Sequence, residues 1–371
     1  MKRILFFHPD LRGGGAEKVL VDLLNKLDTN QFEITLFTIF EEGVNRKNLS
    51  PVIHQKWFFK KVFRGYSVIQ RLFPPSFLYW FFVRQKYDVV VAYLEGVPTR
   101  IVSGCSDSNT RKIAWVHTKI DDIGINSVFN GIEGMKACYR KFDQIVCVSA
   151  VSRNTLVSYL GLPENQVQVI YNALDVESVL KKSLEPLPST FSTDVPNLIT
   201  VGRLNSQKGY DRLLEVCRRL KQDEIQFMLR IVGAGEQQPA LQAFIDSNNL
   251  KDCVQLVGFH SNPYPFVRHS DLFVCSSRVE GYSTAVSESI ILEVPVITTD
   301  CSGMDEILDN GKYGIIVEND TEPLYDGLKK ILQSDWELAQ WKVKAEQRSL
   351  FFKESNHVND VEQLLNGDGG K

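Results

Sequence analysis

The sequence has few of the features that anchor, export or cross-link a protein. Its seven cysteines are scattered, and no two form a C-x-x-C pair. This favours reduced core cysteines over disulfides or a zinc site. The first apolar run, Ile4 to Phe7, is too short for a signal-peptide core. The sequence also contains no run of about 18 apolar residues, the length needed to span a membrane. We therefore expect a cytoplasmic protein.

An excess of charge of one sign is also missing. The formal net charge is −3 over 371 residues, of which 23% are charged and 43% hydrophobic. Such a composition is ordinary for a globular protein and gives no global indication of nucleic-acid binding. The length is comfortable for two domains.

Short apolar runs alternate with helical patterns along the whole chain, which favours an α/β fold with parallel sheets buried on both faces. The predicted strands are Arg3–Phe7, Phe32–Phe37, Val89–Tyr93, Lys112–Val116, Gln144–Val148, Gln166–Ile170, Asn197–Val201, Gln226–Val232, Cys253–Leu256, Asp271–Val274, Val294–Thr298 and Gly314–Val317. We expect two doubly wound, Rossmann-like domains that face a central cleft.

A segment rich in proline, serine and threonine interrupts the periodicity at residues 183–196. It predicts a linker between a first domain of residues 1–182 and a second domain of residues 197–349. The helical pattern at residues 350–366 is expected to return to the first domain.

Glycines follow the first predicted strand of each half. Gly13, Gly14 and Gly15 precede a helical pattern, and glycine permits both a sharp turn and a close ligand approach. A ligand loop and a simple packing turn are equally consistent with this run. In the second half, Arg203 and Lys208 lie on the turn after Val201. Two cations there suit the charge that develops on a diphosphate leaving group, although they could also be solvated cations at a helix start.

A third segment carries two carboxylates on one loop and helix start. Glu280 precedes the predicted helix and Glu288 lies one turn into it, while Ser283 or Thr284 can cap it. The backbone amides around Tyr282, Ser283 and Thr284 would form an anion site. Glu288 could accept hydrogen bonds from a diol such as ribose, and Glu280 could face a sugar. A solvated acidic helix start is the simpler alternative.

The spacing of Glu280 and Glu288 is similar to the E-x7-E pattern of glycosyltransferase family four, and the chain resembles that family over nearly its whole length. Further landmarks in the same order are Gly13–Gly15, His117, Ser149, Ile170–Asn172, Val201–Arg203 with Lys208 and Gly209, Val232–Glu236, Val257–Phe259 and Val294–Ile297.

This resemblance implies the GT-B fold and a retaining, metal-independent transfer of a sugar in bacterial surface-polysaccharide synthesis. The donor would be a nucleotide-diphosphate sugar acting as co-substrate, most simply a UDP-sugar, with no cofactor and no nucleic-acid partner. The acceptor would be a glycan or a lipid-linked glycan. By likeness, the diphosphate would be held by Arg203, Lys208, Gly14, Gly15, Tyr282, Ser283 and Thr284. The ribose would be held by Glu288, the base by Val257, Gly258, Phe259 and Gly233, and the catalytic group would comprise Glu280, His117, Lys208 and Arg203.

Three alternatives stay open from the sequence alone. A sugar-nucleotide epimerase could use the same architecture, and a catalytically silent partner could keep the nucleotide contacts without cleaving the donor. His117, which follows a predicted strand, could be a structural histidine rather than a ligand of a sugar hydroxyl.

A stretch without acidic residues, 46–86, combines cations with aromatic side chains. Its members are Arg46, Lys47, Lys56, Lys60, Lys61, Arg64, Arg71, Arg84 and Lys86, interleaved with Trp57, Phe58, Phe59, Phe63, Tyr66, Phe73, Phe77, Tyr79, Trp80, Phe81 and Phe82. Cations attract anionic lipid headgroups, and aromatic rings favour the lipid–water boundary. The stretch predicts peripheral contact with the inner membrane face; the alternative is that its aromatics pack internally.

Overall fold

The computed structural model describes residues 1–63, 70–120, 128–187, 191 and 194–367. They form two compact units. The first unit comprises Met1–Leu174 and Asn356–Lys371, and the second comprises Asp175–Ser355.

Seven parallel strands form the sheet of the first unit within the described residues. They are β1 Lys2–His8, β2 Phe32–Phe40, β3 His54–Phe59, β4 Val89–Ala92, β5 Arg111–Val116, β6 Gln144–Cys147 and β7 Val167–Val169. Their order is β3-β2-β1-β4-β5-β6-β7, so the direction of winding reverses between β1 and β4. Ligands of doubly wound sheets bind beyond the carboxyl ends of the strands at such a reversal.

Helices of the first unit connect these strands, and the C-terminal helix is bound to the start of the chain. The helices are Gly15–Lys26, Pro75–Phe82, Val97–Val102, Gly131–Tyr139, Ala150–Leu160 and His357–Asn366, with 3-10 turns at Val44–Asn48 and Glu164–Gln166. The ammonium group of Lys2 donates to the carbonyl of Asn366 at 2.6 Å. Glu362 accepts from the backbone N–H of Asp28 at 2.8 Å.

The second unit repeats the same architecture with a six-stranded parallel sheet, again within the described residues. Its strands are β8 Asn197–Val201, β9 Met228–Val232, β10 Val254–Gly258, β11 Leu272–Cys275, β12 Val296–Thr299 and β13 Ile315–Val317, in the order β10-β9-β8-β11-β12-β13. The helices are Val176–Lys182, Tyr210–Gln222, Gln238–Ser247, Tyr264–Arg268, Thr284–Ile291, Met304–Leu308, Thr321–Leu332 and Asp335–Glu354, with a 3-10 turn at Ser206–Lys208.

The predicted α/β class with two parallel sheets is confirmed, but the sequence missed one strand. β3 pairs with β2 as the outer strand of the first sheet, from His54 opposite Thr35 to Phe59 opposite Phe40. Its side chains are exposed or half-buried, so it lacks the continuous apolar run typical of an interior parallel strand. β2 also extends to Phe40, beyond the predicted end at Phe37.

The chain divides between the two units at a different place from the predicted linker, residues 183–196. The helix Val176–Lys182 belongs to the second unit, where the carbonyl of Lys182 accepts from the Asn262 side chain at 2.9 Å. Near the C-terminus, the helix Asp335–Glu354 stays in the second unit and residues from Asn356 onward join the first. Among the described residues, no helix is both long and apolar enough to cross a membrane.

Candidate active site

The turn after β8 is shaped by close backbone contacts with the turn after β9. Gly202 donates to the carbonyl of Val232 at 3.0 Å, and Leu204 donates to that of Ala234 at 3.0 Å. Gly233 has a φ of +153°, and a Cβ built on it would lie 1.9 Å from the carbonyl oxygen of Gly202. Only glycine therefore fits at residue 233, which holds the two turns together.

Residues 205–209 present Lys208 at the end of this turn. The Asn205 side chain accepts from the backbone N–H of Lys208 at 3.3 Å. Gly209 has a φ of +64°, and a Cβ on it would lie 2.1 Å from the carbonyl oxygen of Ser276. This glycine lets the Lys208 turn pack directly against the segment that follows β11.

The buried guanidinium of Arg212 fixes that second segment. It donates to the carbonyls of Ser276 at 2.8 Å and Ser277 at 2.6 Å, and to the Asn319 side chain at 2.8 Å. The Thr299 hydroxyl adds a bond to the Ser277 carbonyl at 2.6 Å. A loop without regular structure is thus held by side chains, because its buried carbonyls have no strand partner.

Lys208 and Glu280 meet where the two segments touch. The ammonium nitrogen of Lys208 lies 2.5 Å from Oε1 of Glu280. The same oxygen accepts from the Ser277 hydroxyl at 2.6 Å. The two side chains are 22% and 10% exposed, so this is a largely buried ion pair.

The pair determines the charge state of Lys208. Burial lowers the pKa of the Lys208 ammonium, but Glu280, together with Cys275 and Tyr210, raises that pKa above the usual lysine value. Lys208 is therefore a permanent cation at neutral pH.

The second predicted cation, Arg203, is in a different state. Its side chain is exposed and makes no ion pair or hydrogen bond with the rest of the described chain. The neighbouring Arg278, by contrast, is bound to Asp211 at 2.7 Å. Arg203 is thus a cation that remains available to an anionic ligand.

The helix Thr284–Ile291 begins where the sequence predicted, but the predicted side-chain cap is wrong. Ser283 occupies the cap position without a capping hydrogen bond from its side chain; its carbonyl instead accepts from the Ser287 hydroxyl at 3.1 Å. One turn into the helix, Oε1 of Glu288 accepts from the buried hydroxyl of Tyr264 at 3.1 Å. Tyr282 and Ser283 are buried, and Thr284 is half-buried.

The residues predicted to border a base lie at the ends of β9 and β10. Gly233 donates to the carbonyl of Gly258 at 2.8 Å, and Gly258 has a φ of +85°. Val257 is half-buried, whereas Phe259 is 56% exposed. An exposed ring beside two glycines is a surface on which a planar group could stack.

In the first unit, the Glu17 side chain lies beside the glycine turn. Gly14 caps the helix that starts at Gly15, and Gly13 has a φ of +62°. The carboxylate of Glu17 lies 2.0 Å from where a Cβ on Gly14 would be. The Glu17 side chain therefore lies against the Gly14 backbone, and the phosphate role of Gly14 and Gly15 stays a prediction.

His117 is buried at the end of β5, between two polar neighbours. Its backbone N–H donates to Glu95 at 2.9 Å, and its ring lies 5.0 Å from the Tyr93 ring, centroid to centroid. Burial lowers the pKa of His117 to about 4. The ring is thus neutral at pH 7.

The stretch 46–86 is only partly available for a membrane. Arg46 is held inward by Thr38 at 2.7 Å and Gln55 at 2.8 Å, and Lys56 contacts Gln85 at 2.5 Å. The side chains that remain exposed and lack such bonds include Lys60, Lys61 and Arg84, together with the large apolar groups Leu72, Phe73, Phe77 and Trp80. Arg64 and Tyr66 lie outside the described residues.

Sequence reasoning missed several residues that build these sites. Arg212 and Tyr264 make their contacts across 65 and 24 sequence positions, and Ser277 bonds to Glu280 from within the same loop. His8 and Glu95 could have been found, because His8 ends β1 and Glu95 closely follows β4, at the end of the sheet where ligands bind.

Two family models match the chain and together span most of it. Glycosyltransferase Family 4 matches residues 13–178, and Glycosyl transferases group 1 matches residues 184–348. The chain belongs to glycosyltransferase family four. The resemblance indicated by the E-x7-E pattern is thereby confirmed, and the protein is a glycosyltransferase.

One similar protein matches over the full length. It is N-acetylgalactosamine-N,N'-diacetylbacillosaminyl-diphospho-undecaprenol 4-alpha-N-acetylgalactosaminyltransferase of Campylobacter jejuni, which is 27% identical over 99% of this chain and 100% of its own length.

Two solved structures of other proteins superpose on nearly the whole chain. HepE of Anabaena, solved in complex with UDP and glucose, superposes with a TM-score of 0.76 at 15% identity over 99% of both chains. Sucrose-phosphate synthase from Thermosynechococcus elongatus superposes with a TM-score of 0.81 at 14% identity over 99% of both chains. At these identities the likeness shows the fold alone, and the fold is GT-B.

Replacing Arg212 with alanine should destabilise the second unit by about 3 kcal/mol, because it leaves the buried carbonyl of Ser276 without its donor and removes one of the donors to the carbonyl of Ser277. Differential scanning calorimetry measures the effect as a lower Tm. Arg218→Ala is the matched control, since that arginine pairs with Glu215 at the surface of the same helix, and it should lower the Tm much less because exposed ion pairs contribute little to stability. Equal Tm values for the two variants would contradict this role of Arg212.

Proposed function

We propose that the enzyme transfers a sugar from a nucleotide-diphosphate donor, most simply a UDP-sugar, to an acceptor hydroxyl with retention of anomeric configuration and without a metal. The observation that carries this proposal is the buried contact of 2.5 Å between Lys208 and Glu280 beside the unpaired Arg203.

The charge on these residues suits a diphosphate leaving group. As the bond between the sugar and the phosphate oxygen breaks, negative charge accumulates on the diphosphate and needs cations nearby. Lys208 is a fixed cation because Glu280 raises its pKa, and Arg203 can form a bidentate contact with phosphate oxygens. Two such cations can supply the compensation that a metal supplies in other transferases.

The role assigned to Glu280 is to orient the sugar rather than to react with it. Its Oε1 already accepts from Lys208 and Ser277, so the carboxylate is held in one orientation. Its Oε2 makes no hydrogen bond with the described residues and can accept one from a sugar hydroxyl. Glu288, fixed by the Tyr264 hydroxyl, would accept from the ribose diol.

In the retaining reaction that this family likeness implies, the new bond forms on the face from which the old bond leaves. The bond between the anomeric carbon and the phosphate oxygen breaks, and the acceptor oxygen bonds to that carbon. The acceptor proton passes to the departing phosphate oxygen, so no side chain has to act as a general base.

A lipid-linked acceptor is favoured by the Campylobacter relative, whose name includes a diphospho-undecaprenol substrate, and by the surface of the first unit. A cavity of about 450 Å³ lies beside β3 and is lined in part by Trp57, Phe58 and Phe81 together with Lys56 and Arg84. Aromatic and cationic side chains together suit an apolar tail and its anionic headgroup.

Lys208→Ala and Glu280→Gln should each lower kcat/KM by about 100-fold or more, because both remove charge compensation or orientation needed in the transition state. Transfer is measured by release of UDP from UDP-sugars in the presence of glycan acceptors. Lys221→Ala is the matched control: Lys221 also forms an ion pair, with Asp252 at 2.6 Å, but at the surface, so the rate should be unchanged.

Rates for Lys208→Ala and Glu280→Gln within about threefold of wild type would overturn the assignment. Conversion of the donor to an isomeric nucleotide sugar without acceptor would identify an epimerase instead, and donor binding without any turnover would identify a silent binding partner. The same assay with EDTA should give the wild-type rate, whereas abolished activity restored by Mg²⁺ would contradict the proposed metal independence.

Membrane contact is tested by flotation with liposomes that contain anionic lipids. The double change Lys60→Glu and Lys61→Glu should lower binding by roughly tenfold or more, since each cation contributes about 1 kcal/mol near an anionic surface. Trp80→Ala should also weaken binding, because this ring is 69% exposed. Trp336→Ala is its control, being 70% exposed in the second unit. Equal flotation of all these proteins would exclude docking through this surface.

A further inference from the structure

Two buried imidazoles lie at the carboxyl end of the first sheet. His8 is the last residue of β1, and His117 directly follows β5. β4 lies between these strands and pairs with both of them, Phe7 opposite Ala92 and Ala92 opposite Ala114. The two histidines therefore lie near each other at the point where the winding of the sheet reverses.

Both histidines belong to the same face of the sheet. Side chains alternate along a strand, so His8 shares its face with Phe6, and His117 shares its face with Trp115. The Tyr93 ring lies among them, with centroid distances of 6.0 Å to Phe6, 4.9 Å to Trp115 and 5.0 Å to His117, and His8 interacts electrostatically with His117.

The backbone fixes which nitrogen of each ring carries the proton. Nδ1 of His8 lies 2.6 Å from the carbonyl oxygen of Asp10. A carbonyl only accepts, so Nδ1 is the protonated nitrogen and Nε2 has a free lone pair. The Tyr93 backbone raises the pKa of His117, as a carbonyl acceptor of a ring N–H does, and Nε2 is the nitrogen of that ring without a bond.

Both Nε2 atoms are buried and make no hydrogen bond within the described part of the chain. His8 is 1% exposed and His117 is 8% exposed. A buried acceptor without a donor costs free energy that the fold elsewhere avoids. Two such atoms at the ligand-binding edge of one sheet indicate a ligand that brings donors with it.

The charged neighbours restrict what that ligand can be. Asp10 and Glu95 both act electrostatically on His8, as does His117. The charge of Asp10 is compensated by Arg12 at 2.9 Å, but a phosphate dianion has no proton to donate to the lone pair of either Nε2. A hydroxyl group donates, carries no charge and suits both imidazoles.

We propose that His8 and His117 form a hydroxyl-binding subsite of the first unit, in which each Nε2 accepts a hydrogen bond from a hydroxyl of one sugar. This subsite rests on the proposed glycosyl transfer and adds His8 as a positioning residue for the sugar. The sugar belongs either to the donor or to the acceptor, because both carry hydroxyl groups that can donate to Nε2.

The subsite needs neutral imidazoles, and their surroundings provide them. Burial lowers the pKa of both His8 and His117 to about 4, against the pull of Asp10 and Glu95 on His8. Both rings are therefore acceptors from pH 5 upward. Below about pH 4 each Nε2 gains a proton and becomes a donor, so sugar binding should weaken as the pH falls toward 4.

The test compares three changes at His8 with His54→Gln, a control histidine exposed on β3. His8→Asn keeps an amide donor at the position of Nδ1 but has no atom at that of Nε2. His8→Gln places an amide oxygen near the position of Nε2, and His8→Phe keeps only the ring shape. Calorimetry gives Kd for UDP and for UDP-glucose, UDP-galactose, UDP-GlcNAc and UDP-GalNAc, and for the methyl α-glycosides of these four sugars.

For a donor sugar, His8→Asn and His8→Phe should weaken the affected UDP-sugar by about tenfold and leave UDP unchanged, with partial rescue in His8→Gln. For an acceptor sugar, the same loss should occur with a methyl glycoside and not with the UDP-sugars. Variants that bind every sugar as the wild type does would overturn the subsite.

Nitrogen-15 NMR of the histidine side chains in the wild-type protein gives a second readout that does not depend on turnover or on the folding of a variant. The free protein should show unprotonated Nε2 in His8 and His117, and the bound sugar should shift both resonances. Protonated Nε2 in the free protein would overturn the proposal. If UDP does not bind but a methyl glycoside still shifts the resonances of His8 and His117, the result counts against the proposed function and supports the subsite.

Discussion

Burial of the ion pair between Lys208 and Glu280 is the constraint on which the second unit's site depends. Two desolvated charges are tolerated only when they meet at short range and their remaining hydrogen-bonding capacity is met. Ser277 meets part of that need for Glu280, while Arg212 and Thr299 hold the Ser277 backbone in place. Gly209 makes the approach possible, since any Cβ there would collide with Ser276. The ion pair therefore restricts which residues fit at positions far from it in the sequence, namely 209, 212 and 299.

The first unit uses the same edge of a parallel sheet for a different purpose. Its polar groups at the strand ends are neutral imidazoles with fixed tautomers, flanked by carboxylates. The second unit presents cations at the equivalent edge. The edge of the second unit suits an anion, and the edge of the first unit suits hydroxyl groups.

Much of this arrangement was predictable because it depends on local pattern. The apolar runs of the inner strands, the glycine turns and the E-x7-E spacing all occur within short windows, so the parallel sheets and the positions of Arg203, Lys208, Glu280 and Glu288 followed from the sequence. β3 did not, since an exposed outer strand needs no continuous apolar run. Arg212 and Tyr264 act through contacts that only the folded chain creates. The Glu17 carboxylate beside Gly14 and the inward-held Arg46 were invisible for the same reason.

Hydrogen exchange of the backbone amides, followed by mass spectrometry with and without UDP, tests the central claim most directly. The account predicts that UDP slows exchange in peptides covering residues 202–209 and 280–288, and that the combined change of Arg203 and Lys208 to alanine abolishes this protection. Binding of UDP that leaves exchange in both segments unchanged would contradict the assignment of the Lys208 and Glu280 segments to the donor.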